Sequence, residues 1–125
     1  MRLKIEFNPN MPIYIQIIEE IKRQIVSGEK EPGSKIDSVR DMAKLINVNP
    51  NTVQRAFVEL EHDKLLYTKR TSGRFITTDI ELIEKIKAES VRRKISEFVN
   101  LMKKSGFLEF DILRLVKEFM DENQN

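Results

Sequence analysis

The stretch SVRDMAKLINVNPNTVQRAF, residues 38–57, predicts two short helices joined by a tight turn. Ser38 is a good N-cap for the first helix, and Asp41, three residues later, completes a variant of the capping box. Asn49 is a good N-cap for the second helix, and Pro50 suits the first helical position because that position needs no amide hydrogen. These features together predict a helix-turn-helix.

The two faces of the second helix differ in chemistry. Apolar residues recur at helical spacing on one face, and the opposite face is polar. The polar residues there are Asn51, Thr52, Gln54 and Arg55. Amide and guanidinium groups can form paired hydrogen bonds with base edges in the major groove of DNA. Two interpretations follow from the helices alone: a DNA-recognition helix, or a helical hairpin whose polar face is only solvated.

A basic β-hairpin is predicted directly after the helix pair. Two runs of β-prone residues, 65–70 and 74–78, flank the glycine-containing loop 71–73. Residues 64–74 contain four basic residues and no acidic residue: Lys64, Lys69, Arg70 and Arg74. Alone, this run would indicate a solvated loop. After a helix pair it favours a wing that contacts phosphates or the minor groove, so the predicted fold is mainly α with a small β-hairpin wing.

Residues 12–77 resemble the N-terminal winged-helix domain of the GntR family of bacterial transcription regulators. The matching segments are PIYIQI (12–17), IVSG (25–28), PGSKI (32–36), SVRDMA (38–43), VNPNTVQRA (48–56), FVELE (57–61) and GRFI (73–76). The NPNTVQRA run and the short tail are most similar to the YtrA-like branch. The resemblance implies a winged helix-turn-helix regulator that binds double-stranded operator DNA, is most commonly a repressor, and often accompanies transporter genes.

The sequence departs from the family pattern at three positions. Asp37 stands where the family usually has Pro, and Lys64 stands where Gly is frequent. The wing tip 71–73 has one glycine where the family tends to have two. The first departure affects the entry to the helix that Ser38 begins, and the other two affect the path of the wing.

Several side chains are predicted to contact DNA. The resemblance implies contacts for Arg40, Asn49, Asn51, Thr52, Gln54, Arg70, Thr71, Ser72 and Gly73. Charge and position add Arg55, Lys69 and Arg74, and we expect Asn51, Gln54 and Arg55 to discriminate between bases. Ser38 and Thr52 have two alternative roles, phosphate contact or helix capping. Lys44 and Lys64 are interpreted as solvated.

The regions on either side of this domain also have helical patterns. Upstream, Leu3, Ile5 and Phe7 alternate with charged residues, which predicts an extended segment, and a helix is expected between Pro12 and Gly28. Downstream, Thr78 and Glu81 predict a capping box for a long helix that Gly106 ends, and a last helix is expected near Glu109 to Glu122.

The apolar residues of the tail occupy more than one helix face. They include Ile95, Phe98, Met102, Phe110, Leu113, Val116, Phe119 and Met120. One small winged domain cannot cover so much apolar surface, which predicts self-association into a homodimer. The alternative is that the last helix folds back onto the winged domain. The predicted organisation is a DNA-binding domain, 1–78, followed by a two-helix C-terminal dimerisation region, 79–125.

Composition agrees with a small DNA-binding protein. The 125 residues have a net charge of +2, with 13 basic and 10 acidic residues up to position 78 and 9 and 10 after it. The chain contains no cysteine, which excludes disulfides and cysteine-based zinc sites. Lys22 and Arg23 interrupt the apolar N-terminal stretch, so no signal peptide or membrane span is predicted, and we expect a cytoplasmic protein.

No catalytic site, metal site or cofactor is predicted. The single histidine, His62, lies between Glu61 and Asp63, and no glycine-rich phosphate loop or nucleophile elbow is present. The sequence predicts a homodimeric regulator of a palindromic operator, and the resemblance implies that a small-molecule effector adjusts its DNA affinity. The alternative function is a winged-helix module that binds proteins without specific DNA binding. An enzyme fragment is disfavoured because no Schiff-base lysine context exists.

Overall fold

The computed structural model describes residues 5–124, which form five α-helices and one two-stranded antiparallel sheet. The elements in chain order are α1 (Ile13–Val26), α2 (Val39–Ile46), α3 (Pro50–His62), β1 (Leu66–Lys69), β2 (Gly73–Ile76), α4 (Ile80–Lys104) and α5 (Glu109–Glu122). This is the predicted mainly helical fold with a β-hairpin. Two compact units divide within α4, between Ile86 and Lys87. The functional boundary at residue 78 stays a prediction.

The first unit has a continuous hydrophobic core. Helix α3 packs against both α1 and α2, and its C-terminal part contacts β1. The fully buried side chains include Ile17 and Ile21 from α1, Met42 from α2 and Phe57 from α3. Burial of these side chains is the main contribution to the stability of the unit. The apolar face that the sequence predicted for α3 is therefore confirmed.

The N-terminal segment and α1 lie close to their predicted positions. Ile5 and Phe7 are partly buried against the core, whereas Leu3 of the predicted extended segment lies outside the described residues. The helix α1 begins directly after Pro12, and Gly28 has a φ of +83° just beyond its end. A left-handed residue is a frequent helix terminator, and glycine adopts this conformation at no steric cost.

The predicted hairpin is confirmed, with shorter strands than the sequence suggested. The register pairs Leu66 with Ile76 at one end and Lys69 with Gly73 at the other. A third backbone segment, which the sequence did not indicate, forms an isolated antiparallel bridge with β2, between Lys35 and Phe75. There Ile76 N donates to Ser34 O at 2.8 Å, which ties the hairpin to the loop before α2.

One predicted cap was wrong. The N-terminus of α4 is capped by Asp79 and not by Thr78 and Glu81, since Asp79 Oδ1 accepts from Leu82 N at 3.1 Å. Asp79 N in turn donates to Thr77 Oγ1 at 3.0 Å, which fixes the capping residue. Asp is the stronger acceptor at this position, and its side chain reaches the third residue of the helix.

The second unit contains the rest of α4, a turn at Gly106, and α5. Gly106 has a φ of +92°, and Phe107 N donates to Met102 O at 3.1 Å, so the predicted end of α4 is confirmed. Helix α5 also has its predicted bounds. Among the described residues of this unit, Ile112 is the one buried apolar side chain. None of the described helices is long and apolar enough to cross a membrane.

Candidate nucleic-acid interface

The start of α3 is built by Asn49 and Pro50. Asn49 Oδ1 accepts a hydrogen bond from Asn51 N at 2.8 Å, and Pro50 occupies the first helical position. The carbonyl oxygen of the Asn49 side chain is therefore used as a cap, and its amide NH₂ is left as the group that could contact another molecule. Both predicted features of this helix start are confirmed.

Beyond the cap, α3 presents polar side chains on the face opposite the core. Asn51, Gln54 and Arg55 are exposed, and Thr52 is half-buried. Val53 and Phe57 on the other face are fully buried, which fixes the rotation of the helix about its axis. The first two turns therefore offer amide donors and acceptors in a fixed direction, which is the geometry required for contacts with base edges.

The start of α2 carries an exposed cation. Ser38 Oγ accepts from Asp41 N at 3.1 Å, so Ser38 acts as a helix cap. The reciprocal bond from Ser38 N to the Asp41 carboxylate is not formed, and the predicted capping box is only half complete. Arg40 lies in the first turn of α2 and is exposed. It forms no ion pair within residues 5–124.

The turn between α2 and α3 is tight because Asn47 is left-handed. Asn47 has φ 54° and ψ 55°, and Asn tolerates this conformation better than most residues. Val48 N donates to Ala43 O at 3.0 Å, and Val48 packs against the core. The turn thus holds α2 and α3 in one arrangement, and Arg40 and Asn51 keep a fixed relation to each other.

The wing tip consists of small polar residues and one arginine. Arg70, Thr71, Ser72 and Gly73 are all exposed, and Ser72 N donates to Lys69 O at 3.0 Å. Gly73 has a φ of +109°, which disfavours any other residue. A Cβ atom there would also lie 3.1 Å from Cε of Lys35.

Lys35 is a candidate contact that the sequence prediction missed. Its side chain passes the wing tip at Gly73, and its backbone bridges Phe75. Lys69 contributes a second cation on the outer face of the hairpin, with Nζ 4.7 Å from the centre of the Phe75 ring. In the sequence, Lys35 lies in the PGSKI segment before α2, and the backbone bridge to β2 brings it to the wing.

Arg74 is half-buried and forms an ion pair with Glu61. Arg74 Nε donates to Glu61 Oε1 at 2.8 Å, and Thr68 Oγ1 donates to Glu61 Oε2 at 2.6 Å. Burial would raise the pKa of the Glu61 carboxyl, but the hydrogen bonds from Thr68 and Arg74 and the Arg74 charge outweigh burial and lower that pKa below its ordinary value. This cluster ties both wing strands to α3, so the geometry favours a positioning role for Arg74.

Arg55 is likewise engaged with a neighbouring helix. Its guanidinium carbon lies 3.8 Å from the centre of the Tyr14 ring, and its Nη2 donates to the Tyr14 hydroxyl at 3.2 Å. Arg55 nevertheless remains exposed and keeps further N–H donors. Tyr14 is the second side chain that the sequence prediction missed, since no sequence spacing relates residues 41 positions apart.

The single histidine of the chain lies at the end of α3. His62 is exposed, and its Nδ1 lies 3.5 Å from Asp63 Oδ1. Within residues 5–124 no cluster of three acidic, histidine or cysteine side chains is placed to hold a metal ion. The surface combines amide groups on α3 with cations at the start of α2 and on the wing, an arrangement that suits the groove and the phosphates of duplex DNA.

Comparison with solved structures supports the same fold over most of the chain. A GntR family transcriptional regulator from Listeria monocytogenes superposes with a TM-score of 0.84 and 38% identity, covering 90% of this chain and 98% of that one. The DNA-binding domain of AraR, solved in complex with the operator ORX1, superposes with a TM-score of 0.56 and 27% identity, covering 62% of this chain and 99% of that one.

Comparison of sequences identifies the family. The chain is 40% identical over 75 residues to the HTH-type transcriptional repressor YtrA of Bacillus subtilis, an alignment that covers 60% of this chain and 58% of that protein. Residues 13–76 match the family described as bacterial regulatory proteins, gntR family. The match spans α1 to β2, the elements that build the surface described above. This protein therefore belongs to the GntR family of DNA-binding transcription regulators.

Proposed function

We propose that this protein is a homodimeric transcription repressor that binds a palindromic operator in the cytoplasm. The observation that carries the proposal is the polar first half of α3, which is exposed while the opposite face of the helix is fully buried. In this proposal Asn51 and Gln54 read base edges in the major groove, because amide groups pair well with adenine. Each such pair contributes about 1–3 kcal/mol of discrimination.

The phosphates are contacted by the cations and small polar groups around this helix. Arg40 lies at the start of α2, and Lys69 and Arg70 lie on the wing, all of them exposed. Thr52, the amide of Asn49 and the tip residues 71–73 add hydrogen-bonding groups at the edges of the groove. These contacts supply affinity that falls with salt, and they set the register on the duplex.

The dimer is proposed from the second unit, where large apolar side chains are exposed. Leu113 is 74% exposed and Phe119 is 65% exposed. Large apolar side chains with this much exposed surface are typical of a protein–protein interface. The other exposed apolar residues of the predicted interface are Ile95, Phe98, Phe110, Val116 and Met120. Met102 is half-buried. A twofold dimer would present two copies of α3 to half-sites about one helical turn apart.

The proposal also includes repression as the sign of regulation and a small-molecule effector. The relative YtrA is named a repressor, and we extend that sign of regulation to this chain. A small molecule that binds between the two protomers would alter the distance between the paired α3 helices and so the affinity for the operator. Thermal shift measurements with candidate metabolites would test this last part separately.

Selection of bound sequences from random duplexes tests the proposed function directly. We expect a palindromic consensus, and we expect sedimentation to give the mass of a dimer. Leu113→Glu buries a charge in the proposed interface, so this variant should sediment as a monomer and bind the consensus at least about tenfold more weakly. Leu45→Glu, also on an exposed leucine but in the first unit, is the matched control for mass. A consensus without symmetry, or a dimeric Leu113→Glu, would contradict the proposal.

A further inference from the structure

The contact between Arg55 and Tyr14 gives a cation of α3 a defined position before any ligand binds. The guanidinium lies over the tyrosine ring at 3.8 Å and also donates to the hydroxyl at 3.2 Å. An arginine side chain on a helix surface ordinarily samples many rotamers. Two simultaneous contacts with one partner restrict these rotamers to a small set.

Tyr14 is itself firmly held. Its ring is half-buried and packs against the hydrophobic core of the first unit. It lies at the start of α1, where the side chain of Gln16 donates to Asn8 O at 2.8 Å and to Met11 O at 2.9 Å. The segment that carries Tyr14 is therefore fixed on both sides, and the ring provides a rigid support for Arg55.

Arg55 keeps its charge and most of its donors available. A guanidinium has five N–H donors, and one nitrogen is used by Tyr14. No carboxylate within residues 5–124 forms an ion pair with Arg55, whereas Arg74 pairs with Glu61 at 2.8 Å. Asn51 lies one helical turn before Arg55, on the same exposed face of α3. An anion that approaches this face beside Asn51 would therefore meet the free edge of Arg55.

We propose that Tyr14 is a positioning residue for DNA binding, which holds Arg55 to donate to a backbone phosphate beside the groove occupied by α3. This inference rests on the proposed placement of α3 in the major groove. It assigns Arg55 to a phosphate and not to a base edge, because the stack draws the guanidinium sideways toward α1. A prepositioned arginine loses less side-chain freedom on binding, which is worth about three- to tenfold in affinity.

The test is a double-mutant cycle on the selected operator duplex. Fluorescence anisotropy gives the dissociation constant between 50 and 200 mM salt for the full-length wild type, Arg55→Ala, Tyr14→Leu and the double variant. We expect Arg55→Ala to reduce the slope of log affinity against log salt by about 1, and to weaken binding equally on operator and mismatched duplexes. Tyr14→Leu should weaken binding about three- to tenfold, and the double variant should bind like Arg55→Ala alone.

Three further variants separate positioning from a general structural effect. Tyr14→Phe retains the ring beneath the guanidinium and should recover most of the affinity lost in Tyr14→Leu. Arg23→Gln removes the same charge from α1, where Arg23 pairs with Glu20 and Glu29, and should leave the salt slope unchanged. Circular dichroism establishes that each variant is folded. If Tyr14→Leu unfolds, Tyr14→Met replaces it, because methionine adapts to the space in the core.

Two results would overturn the inference while leaving the proposed function intact. One is that the losses of Tyr14→Leu and Arg55→Ala multiply in the double variant. The other is that Arg55→Ala keeps the salt slope of the wild type. Failure of the wild type to bind any selected duplex would instead overturn the proposed function, and the role of Tyr14 with it.

Discussion

The two compact units of this chain differ in how much of their apolar surface is buried. In the first unit the large side chains are enclosed, and Phe57 has no exposed surface. In the second unit Phe119 is 65% exposed, and Ile112 is the one buried apolar residue among those described. The first unit has the core of an independent domain, and the second has two amphipathic helices that lack one.

This difference supports the proposal that the second unit associates with another copy of the chain. Burial of a large apolar side chain stabilises a fold by about 1.5–3 kcal/mol, and the second unit obtains little of this within one chain. A second copy would supply the missing burial, since a twofold interface needs no further protein. The recognition surface and the proposed interface therefore occupy different units, and mutations in the recognition surface should weaken DNA binding without changing the mass of the dimer.

The largest expected effect comes from truncating the enclosed core. Phe57→Ala should reduce the free energy of unfolding by about 3–5 kcal/mol, because it leaves a cavity between α3 and the rest of the core. Urea denaturation of the full chain, followed by circular dichroism, measures this change. We expect the loss to be the same at every protein concentration, since Phe57 has no surface to offer a partner.

Phe119→Ala is the matched substitution in the second unit. Its cost should be small at low protein concentration and should grow as the concentration rises, because the side chain contributes to association. A loss as large as that of Phe57→Ala, and independent of concentration, would mean that Phe119 belongs to a core within one chain. The contrast between the two units would then be wrong.

A smaller effect is expected at the cluster that joins the wing to α3. Glu61→Gln retains the shape of the side chain but removes its charge, and should cost about 1–2 kcal/mol at neutral pH, where the bonds from Thr68 and Arg74 are charge-assisted. Chemical denaturation at pH 7 measures this loss. Glu59→Gln removes an exposed carboxylate from the same helix and should have almost no effect.

The acid dependence of this loss follows from the pKa of Glu61. Burial alone would raise that pKa, but Thr68 and Arg74 lower it overall, so the folded state binds the proton less readily than the unfolded state. The stabilisation is complete above the unfolded pKa of about 4.5 and disappears as the pH falls through the folded value. The difference between wild type and Glu61→Gln should therefore narrow below pH 4.5. A difference that stays constant into acid would exclude the charge as its origin.

Most of the fold could be predicted from local sequence. The caps at Ser38 and Asn49 act through residues two or three positions away, and the apolar spacing of α3 reports directly on burial. The cap of α4 was missed because Thr78 and Asp79 are both good candidates, and only the structure shows which one meets a free amide. The bridge between Lys35 and Phe75 was missed because it joins segments that are distant in the sequence.

The site was less predictable because tertiary contacts decide which cations are available. Arg55, Arg70 and Arg74 have the same charge and lie within one stretch of sequence. In the structure Arg74 pairs with Glu61, Arg55 stacks on Tyr14, and Arg70 lies exposed at the wing tip. Spacing along the chain cannot distinguish these arginines. Tyr14 meets Arg55 because α1 packs against α3, and Glu61 meets Arg74 because the hairpin packs against α3.

The smallest expected effect concerns two helix ends that share one hydrogen-bond pattern, one in each unit. After α3, Lys64 N donates to Glu61 O and Leu65 N to Leu60 O; after α4, Gly106 N donates to Lys103 O and Phe107 N to Met102 O. Both turns need a left-handed residue, with φ values of 65° at Lys64 and 92° at Gly106.

Lys64→Gly should therefore raise the free energy of unfolding by about 1 kcal/mol, and Gly106→Ala should lower it by about the same amount. Apart from its chain neighbours, no residue among those described has an atom within 4 Å of a Cβ at Gly106, so the second change reports conformational strain. Thermal unfolding measures the change in stability of both variants. A loss of stability in Lys64→Gly would mean that contacts of the Lys64 side chain outweigh the strain of its backbone.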